Sequence, residues 1–391
     1  MAGSNHSKVD WPTALIASLS SLQPAMVVAT LGISLPEVRQ ALLLSEIKAG
    51  SLFSIIFIVA GVASAVAGRL SDRLGRKAVL VMGIGSLALG FALSGLAWNY
   101  AAMLLPLGLS GLGYGFTTPS LFALMSDLFP ARRGLGAGLV STFYGIGGLV
   151  GSLVASFVLR SSGWRAAFFT VGLIGAGITM LEMMAIKNVS SESTSTGPSS
   201  YRQEVNRNLV LLALAEFFGG SVFWSTASWT ATVLRTVKEL SLAETGLVMG
   251  LWGVTPMIGA ILLGWLSDRF GRRAVILWSA FPGALAAFIV YRMLFSPTSL
   301  ALGLVLFGTL KASVPTLVIA LAQDFASVGS VGTASGVVMS LHYVSAVVAP
   351  LVAAQLIAST GDMILSMILT SSIPLMIYGS LIAAVREKSQ N

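Results

Sequence analysis

Three ionisable residues stand out inside long apolar runs. Glu216 falls in Leu211-Leu-Ala-Leu-Ala-Glu216-Phe-Phe-Gly-Gly220, Lys311 in Phe307-Gly-Thr-Leu-Lys311-Ala-Ser313, and His342 in Ser340-Leu-His342-Tyr343. A charge in apolar surroundings is costly, so each is a functional hypothesis by default. Glu216 stands about eight residues, roughly 12 Å of helix, from one end of its run, and Lys311 about ten residues from the same side of its own. Similar depth and opposite charge predict that the two face each other. Lys311 would attract an anionic group of a solute, while Glu216 would pair with it or carry a proton. The alternative is a structural brace, although buried ion pairs stabilise poorly compared with apolar packing. His342 is read first as a packing residue and second as a proton relay. Ser20 and Gln23 in the first run offer hydrogen bonds, as do the Tyr114 and Tyr144 hydroxyls. Phe223, Trp224, Trp229 and Trp252 make an aromatic wall, or equally a packing layer or interfacial belt.

Composition sets what must hold these residues. Of 391 residues, 55% are apolar and 10% charged, with a mean hydropathy of +0.87. A soluble domain carries roughly 25% charged residues. Apolar runs of about 20 residues, long enough to cross a bilayer, occur at 11–33, 48–67, 78–97, 100–125, 135–159, 166–186, 208–232, 244–263, 274–292, 298–321, 333–357 and 364–385. An all-α membrane protein with twelve transmembrane helices is expected. With no cysteine and only two histidines, there is no basis for a disulfide framework or a metal cluster, and no cofactor is expected. The net charge of +8 is scattered through short turns and does not point to nucleic acid. No Gly-x-x-x-x-Gly-Lys-Ser/Thr loop occurs, so ATP is not the direct energy source. Met1–Asp10 is polar, and no cleavable signal peptide is expected.

The turns are unequally basic. One side holds fifteen of the 23 lysines and arginines: Lys8, Arg69, Arg73, Arg76, Lys77, Arg132, Arg133, Lys187, Arg202, Arg207, Arg269, Arg272, Arg273, Arg386 and Lys388. The other side holds seven, Arg39, Lys48, Arg160, Arg165, Arg235, Lys238 and Arg292. The positive-inside rule then places both termini in the cytoplasm. Residues 187–207 include the one low-complexity stretch, Ser190-Ser-Glu-Ser-Thr-Ser-Thr-Gly-Pro198-Ser-Ser, and read as a linker between a bundle at 1–186 and another at 208–391.

The two halves repeat each other. Gly68-Arg-Leu-Ser-Asp72-Arg73-Leu-Gly75-Arg76-Lys77 returns as Gly264-Trp-Leu-Ser-Asp268-Arg269-Phe-Gly271-Arg272-Arg273, an offset of 264 − 68 = 196 residues. Asp127 matches Asp324, Ser20 matches Glu216, and Tyr144 matches His342 at nearly the same offset. The repeated turn, of the form Gly-x-x-x-Asp-Arg/Lys-x-Gly-Arg-Arg/Lys, resembles the signature of the major facilitator superfamily, and the resemblance covers the whole chain. It implies two pseudo-symmetric six-helix bundles with helices one, four, seven and ten lining a central cavity. It also implies that Gly68, Asp72, Arg73, Gly75, Arg76, Asp127, Asp268, Arg269, Arg272 and Asp324 form a conformational latch at the basic ends of the halves. The alternative is a basic loop serving topology alone, which would need neither the aspartates nor the glycines.

Two positions depart from the family pattern. Leu107 stands where the fourth helix often carries an arginine linked to proton transfer. Gly151 is followed by Ser152 where drug/proton antiporters usually have a Gly-Pro pair. Pro36, Pro119, Pro256, Pro315 and Pro350 mark places where helices bend.

The expected function is secondary active transport of a small organic solute, with an organic anion as the candidate, by rocker-switch alternating access with protons as the candidate coupling ion. Its rivals are a multidrug or amphiphile exporter driven by proton antiport and a non-transporting receptor or channel. The expected partners are the solute, the lipid bilayer and protons, with the chain working as a monomer. The expected location is a prokaryotic inner membrane.

Overall fold

The computed structural model describes residues 10–129, 133–186, 207–312, 314, 316–325 and 331–386, and all regular structure among them is helical. Side chains of Gly68, Arg69, Asp72, Arg133, Gly134 and a few residues near 316 and 331–335 lie outside the described set, as do the linker residues 187–206 and Pro315.

Nine stretches among the described residues are long and apolar enough to cross a membrane. Counting the interrupted and glycine-rich helices with them gives twelve passes. They are α1 Trp11–Leu42, α2 Glu46–Leu74, α3 Arg76–Ser94, α4 Tyr100–Leu128, α5 and α6 within Arg133–Ala185, α7 Arg207–Thr236, α8 Leu242–Phe270, α9 Arg272–Met293, α10 in two pieces Pro297–Lys311 and Thr316–Phe325, α11 Val331–Thr360, and α12 Met363–Ala383. α5 (133–162) turns into α6 (164–185) at Gly163, whose φ of +80° suits a residue without a Cβ.

Several passes run beyond their apolar cores because polar residues cap them. Ser45, Asn99 and Asp362 each accept from a backbone N–H in the first turn of α2, α4 and α12. Ser241 and Glu244 form a reciprocal capping box at α8. The repeated sequence is a repeated structure: Gly75 and Gly271 join α2 to α3 and α8 to α9 with φ of +91° and +85°. Side chains with a Cβ rarely adopt that conformation, which accounts for glycine at both positions.

The outer surface is apolar. Leu105, Phe157, Leu173, Met184, Ile261 and Leu302 are largely exposed, as expected of helices solvated by lipid. Inside, α3 packs on α4, α1 on α5 and α6, α7 on α11 and α12, and α9 on α12. The halves meet where α2 crosses α11, α5 crosses α8, and α1 crosses α7.

These crossings are closest at the face opposite the basic turns. An added Cβ at Gly32 of α1 would strike the carbonyl of Ala227 on α7. Gly148 on α5 and Gly253 on α8 lie backbone to backbone. The Ser54 hydroxyl of α2 donates to the Val347 carbonyl of α11 at 2.7 Å. Arg235 of α7 pairs with Glu37 of α1 at 2.5 Å. Together they seal that mouth.

Candidate functional site

Between the halves lies a cavity of 230 Å³, many times the 10–15 Å³ or so that one water needs. Its lining runs from Ser21 and Pro24 on α1 through Tyr114, Thr117, Thr118, Leu121 and Phe122 on α4 and Val140, Ser141 and Tyr144 on α5. The other half contributes Phe223 and Trp224 of α7, Pro256 and Ala260 of α8, Lys311, Ala312 and Val314 of the α10 segment, and Met339, His342 and Tyr343 of α11. Most of these stand in the halves of their helices nearer the basic turns. Sealed opposite and continued toward the basic face, the cavity has the shape of one state of an alternating-access carrier.

Lys311 sits at its wall for a local reason. The first piece of α10 ends at this residue, where a cation meets the negative end of the helix dipole. The sequence that follows, Ala-Ser-Val-Pro315, cannot continue a regular helix, because proline lacks an N–H and disfavours helical backbone before it. The Lys311 side chain is buried, with its ammonium 4.2 Å from the centre of the Phe223 ring. Among the described residues no carboxylate lies within 4.0 Å of it, and the ammonium rests against the face of that ring.

Glu216 is fully buried on α7. Its Oε1 is 2.7 Å from Nδ1 of His342 on α11, and Oε2 has no hydrogen-bond partner. The carboxylate's direct partner is thus the histidine, with Lys311 further off. The expected face-to-face pair is replaced by a triangle of cation, acid and imidazole.

Aromatic rings complete the wall. Trp224 stacks obliquely on Phe57 of the other half with centroids 4.1 Å apart, and lies 5.8 Å from the His342 ring. Phe223 stacks on Trp252 at 5.2 Å. Phe57 meets Tyr114 edge-on at 5.4 Å. The indole Nε1 of Trp224 is buried without a hydrogen-bond acceptor. Buried donors are normally satisfied. The Lys311 ammonium and the Trp224 ring line one aromatic cavity, an arrangement that could receive an anionic group on a ring.

The structure brings together Tyr114, Tyr144, Phe223, Trp224, Lys311 and His342 at the cavity wall, with Glu216 directly behind His342. It does not bring Ser20 or Gln23 there. The Gln23 amide donates to the Val171 carbonyl of α6 at 3.1 Å, and Ser20 donates to Glu182 of α6. Trp229 donates from Nε1 to the Pro350 carbonyl at 3.1 Å, which makes it a packing residue of the sealed mouth. Sequence reasoning passed over Glu182, a fully buried acid near the end of α6, and Tyr343. The signal for Glu182 was present: one carboxylate in Met180-Leu-Glu182-Met-Met.

At the basic face, Arg76 of α3 reaches Asp127 of α4 at 3.4 Å, and Arg272 of α9 reaches Asp324 of α10 at 2.5 Å. These are the same contact in the two repeats, each within its own half. Arg269 of the second copy lies over Trp265, 4.1 Å from the ring centre. The side chains of Gly68 and Asp72 lie outside the described residues.

Comparison with known proteins agrees with this architecture. The family model of the Major Facilitator Superfamily matches residues 17–350. A gallate transporter of Pseudomonas putida is 24% identical over 307 residues, covering 68% of this chain and 67% of that protein. A gentisate transporter of Corynebacterium glutamicum is 28% identical over 338 residues, covering 81% and 74%. The crystal structure of a D-xylose-proton symporter superposes with a TM-score of 0.77 at 16% identity, covering 96% of each chain.

Proposed function

The chain belongs to the Major Facilitator Superfamily, and we propose that it carries a small aromatic carboxylate across the membrane by alternating access, together with a proton. It is a multi-pass membrane transporter and not an enzyme. The observation that carries the substrate reading is Lys311: a buried ammonium with no carboxylate within 4.0 Å, set against a phenyl ring in an aromatic cavity between the halves. The names of the gallate and gentisate transporters support the same solute class. A carboxylate would pair with the Lys311 ammonium, while Phe223, Tyr114 and Tyr144 hold the ring.

Glu216 and His342 are the proton pair of this reading. Held at 2.7 Å, they share one proton and stand one helix away from the anion site, so that binding and protonation sense each other electrostatically. An exporter of lipophilic cations would need a carboxylate bare to the cavity, and Glu216 is instead covered by His342.

By the positive-inside rule the basic face is cytoplasmic, the two termini lie in the cytoplasm, and the state described is inward-facing. The halves are 1–186 and 208–391, joined by 187–207, and the working unit is a monomer in a lipid bilayer, in keeping with a prokaryotic inner membrane. In the opposite state the Arg76–Asp127 and Arg272–Asp324 clusters meet across the halves and latch the cytoplasmic side.

The test is uptake into proteoliposomes. Labelled 4-hydroxybenzoate or gentisate should accumulate when the imposed pH gradient drives protons the same way, and Lys311→Met should abolish it. Equal transport of a lipophilic cation by wild type and variant would overturn the assignment.

A further inference from the structure

Away from the cavity, a second carboxylate is buried in the first half. Glu182 of α6 is fully buried, and its Oε1 accepts from the Ser20 hydroxyl of α1. Its Oε2 is also buried and has no hydrogen-bond partner. Ser20 is not in regular α-helix: residues Leu19–Ser21 form a single 3-10 turn that interrupts α1. The next residues of that turn and helix, Ser21 and Pro24, line the cavity.

Among the described residues, the charged groups on the elements packed around Glu182 are engaged elsewhere. On α1, Asp10 caps its own helix by accepting from the Thr13 hydroxyl at 2.8 Å. On α3, the Lys77 ammonium donates to the Met183 carbonyl at 2.8 Å, and Arg76 reaches Asp127 of α4 at 3.4 Å. No ion pair involves Glu182 among the described residues. An ionised carboxylate in this place would be answered by one hydroxyl and no cation, and an unpaired buried charge is strongly unfavourable. A proton removes that charge and turns the bare oxygen into a donor.

The repeat supplies an independent argument. An offset of 216 − 20 = 196 carries Ser20 of α1 onto Glu216 of α7, and 378 − 182 = 196 carries Glu182 of α6 onto Tyr378 of α12. Each half therefore holds one buried acid at one of these paired positions, on its last helix in the first half and on its first helix in the second. In the second half that acid is Glu216, bonded to a cavity histidine. In the first half it is bonded to the break in α1.

We propose that Glu182, with the Ser20 hydroxyl, is a second proton-binding site that couples protonation to the 3-10 turn of α1 beside the cavity wall. As a carboxylate it accepts from Ser20. On taking a proton from water at the basic face, it forms an O–H bond and can donate in turn, so that the 3-10 turn changes its partner. No electron transfer is involved. The coupling to transport rests on the carrier function proposed above; the proton site itself does not.

The experiment is an infrared titration of the purified full-length chain in detergent, with no substrate present. The carbonyl stretch of protonated carboxyl groups is followed as pH is stepped, in wild type, Glu182→Gln, Glu216→Gln and Ser20→Ala. We expect one titrating band to be lost in Glu182→Gln, kept in Glu216→Gln, and displaced in Ser20→Ala, where its hydroxyl partner is gone. Titrating bands in Glu182→Gln identical to wild type overturn the proposal. Should Glu182→Gln not fold, Ser20→Ala decides, and bands that stay in place overturn it. For the coupling, proteoliposomes with Glu182→Gln should lose accumulation driven by the pH gradient while keeping substrate counterflow. Unchanged accumulation refutes the coupling. A wild type that moves no aromatic acid would refute the carrier function and leave the infrared result standing.

Discussion

Replacing Lys311 by methionine should weaken substrate binding and at the same time leave the empty protein as stable as before or more so. The two signs follow from one geometry. In the empty state the ammonium has no ion partner, and its defined contact is the Phe223 ring 4.2 Å away. Removing a buried ammonium that has no carboxylate in contact removes its desolvation cost, several kcal/mol for an ion in apolar surroundings, against which the lost cation–π contact counts about 0.5–2 kcal/mol and the lost attraction to Glu216 counts further. The net expectation is a small change, about −1 to +3 kcal/mol, that leaves the empty protein close to wild type or more stable. In the bound state the variant leaves the substrate carboxylate facing a thioether, a loss of about 2–4 kcal/mol. At about 1.4 kcal/mol per tenfold, the Kd should rise about 30- to 900-fold. Thermal unfolding of detergent-purified protein with and without 4-hydroxybenzoate reads both numbers in one series. The variant should unfold at the same or higher temperature when empty and show no ligand-induced rise. An empty variant that melts earlier yet keeps the full ligand-induced rise would make Lys311 a structural brace and refute the reasoning.

Glu216→Gln preserves a hydrogen-bonding partner for His342 but no longer exchanges a proton, so counterflow should persist while uphill accumulation driven by a pH gradient disappears; loss of counterflow as well would count against it. His342→Ala leaves the Glu216 carboxylate without its partner and should destabilise the protein by about 1–3 kcal/mol, read from detergent melting curves. Glu37→Gln removes the Arg235 ion pair between α1 and α7, a partly exposed contact contributing about 1 kcal/mol. The state open to the opposite face should then gain about fivefold in population. Because the chain has no cysteine, a single cysteine placed at Ser54 reports this opening by its rate of thiol labelling, and an unchanged rate would remove the pair from the seal. Gly32→Ala, which drives a methyl into the Ala227 carbonyl, should act in the same direction at about 1–3 kcal/mol.

Much of the architecture could be read before any coordinates, because it follows from one-dimensional facts. A bilayer demands long apolar runs, so the passes were countable, and a duplicated turn predicts a duplicated geometry that Gly75 and Gly271 display. Depth along a helix is also one-dimensional. It placed Glu216 and Lys311 at similar levels, and both are found at the cavity or directly behind it. Which helix faces which is different information. His342 meets Glu216 because α11 crosses α7 at that height, and no spacing within one sequence encodes the crossing. Gln23 and Ser20 had the right chemistry on the right helix but point toward α6, a matter of rotation about the axis of α1 that a helix apolar on all sides does not reveal. The unbroken run at 298–321 concealed an end at Lys311, since hydropathy does not register where the backbone stops being regular.

Under the proposed proton coupling, the triangle of Lys311, Glu216 and His342 also sets how the membrane voltage would act on the carrier. With one proton on the acid–imidazole pair, that pair is neutral, and Lys311 with a bound monoanion sums to zero. With the proton gone, Glu216 and Lys311 cancel and the empty cavity again sums to zero. Both crossings are then electrically silent only when proton and anion travel one for one. A carrier that kept its proton while returning empty would move one positive charge through the field, biased by about 2.3 kcal/mol for each 100 mV. The charges of the triangle by themselves thus describe a cycle that draws its gradient from pH alone; a proton carried in addition by Glu182 would add one charge per cycle and make the rate follow the voltage.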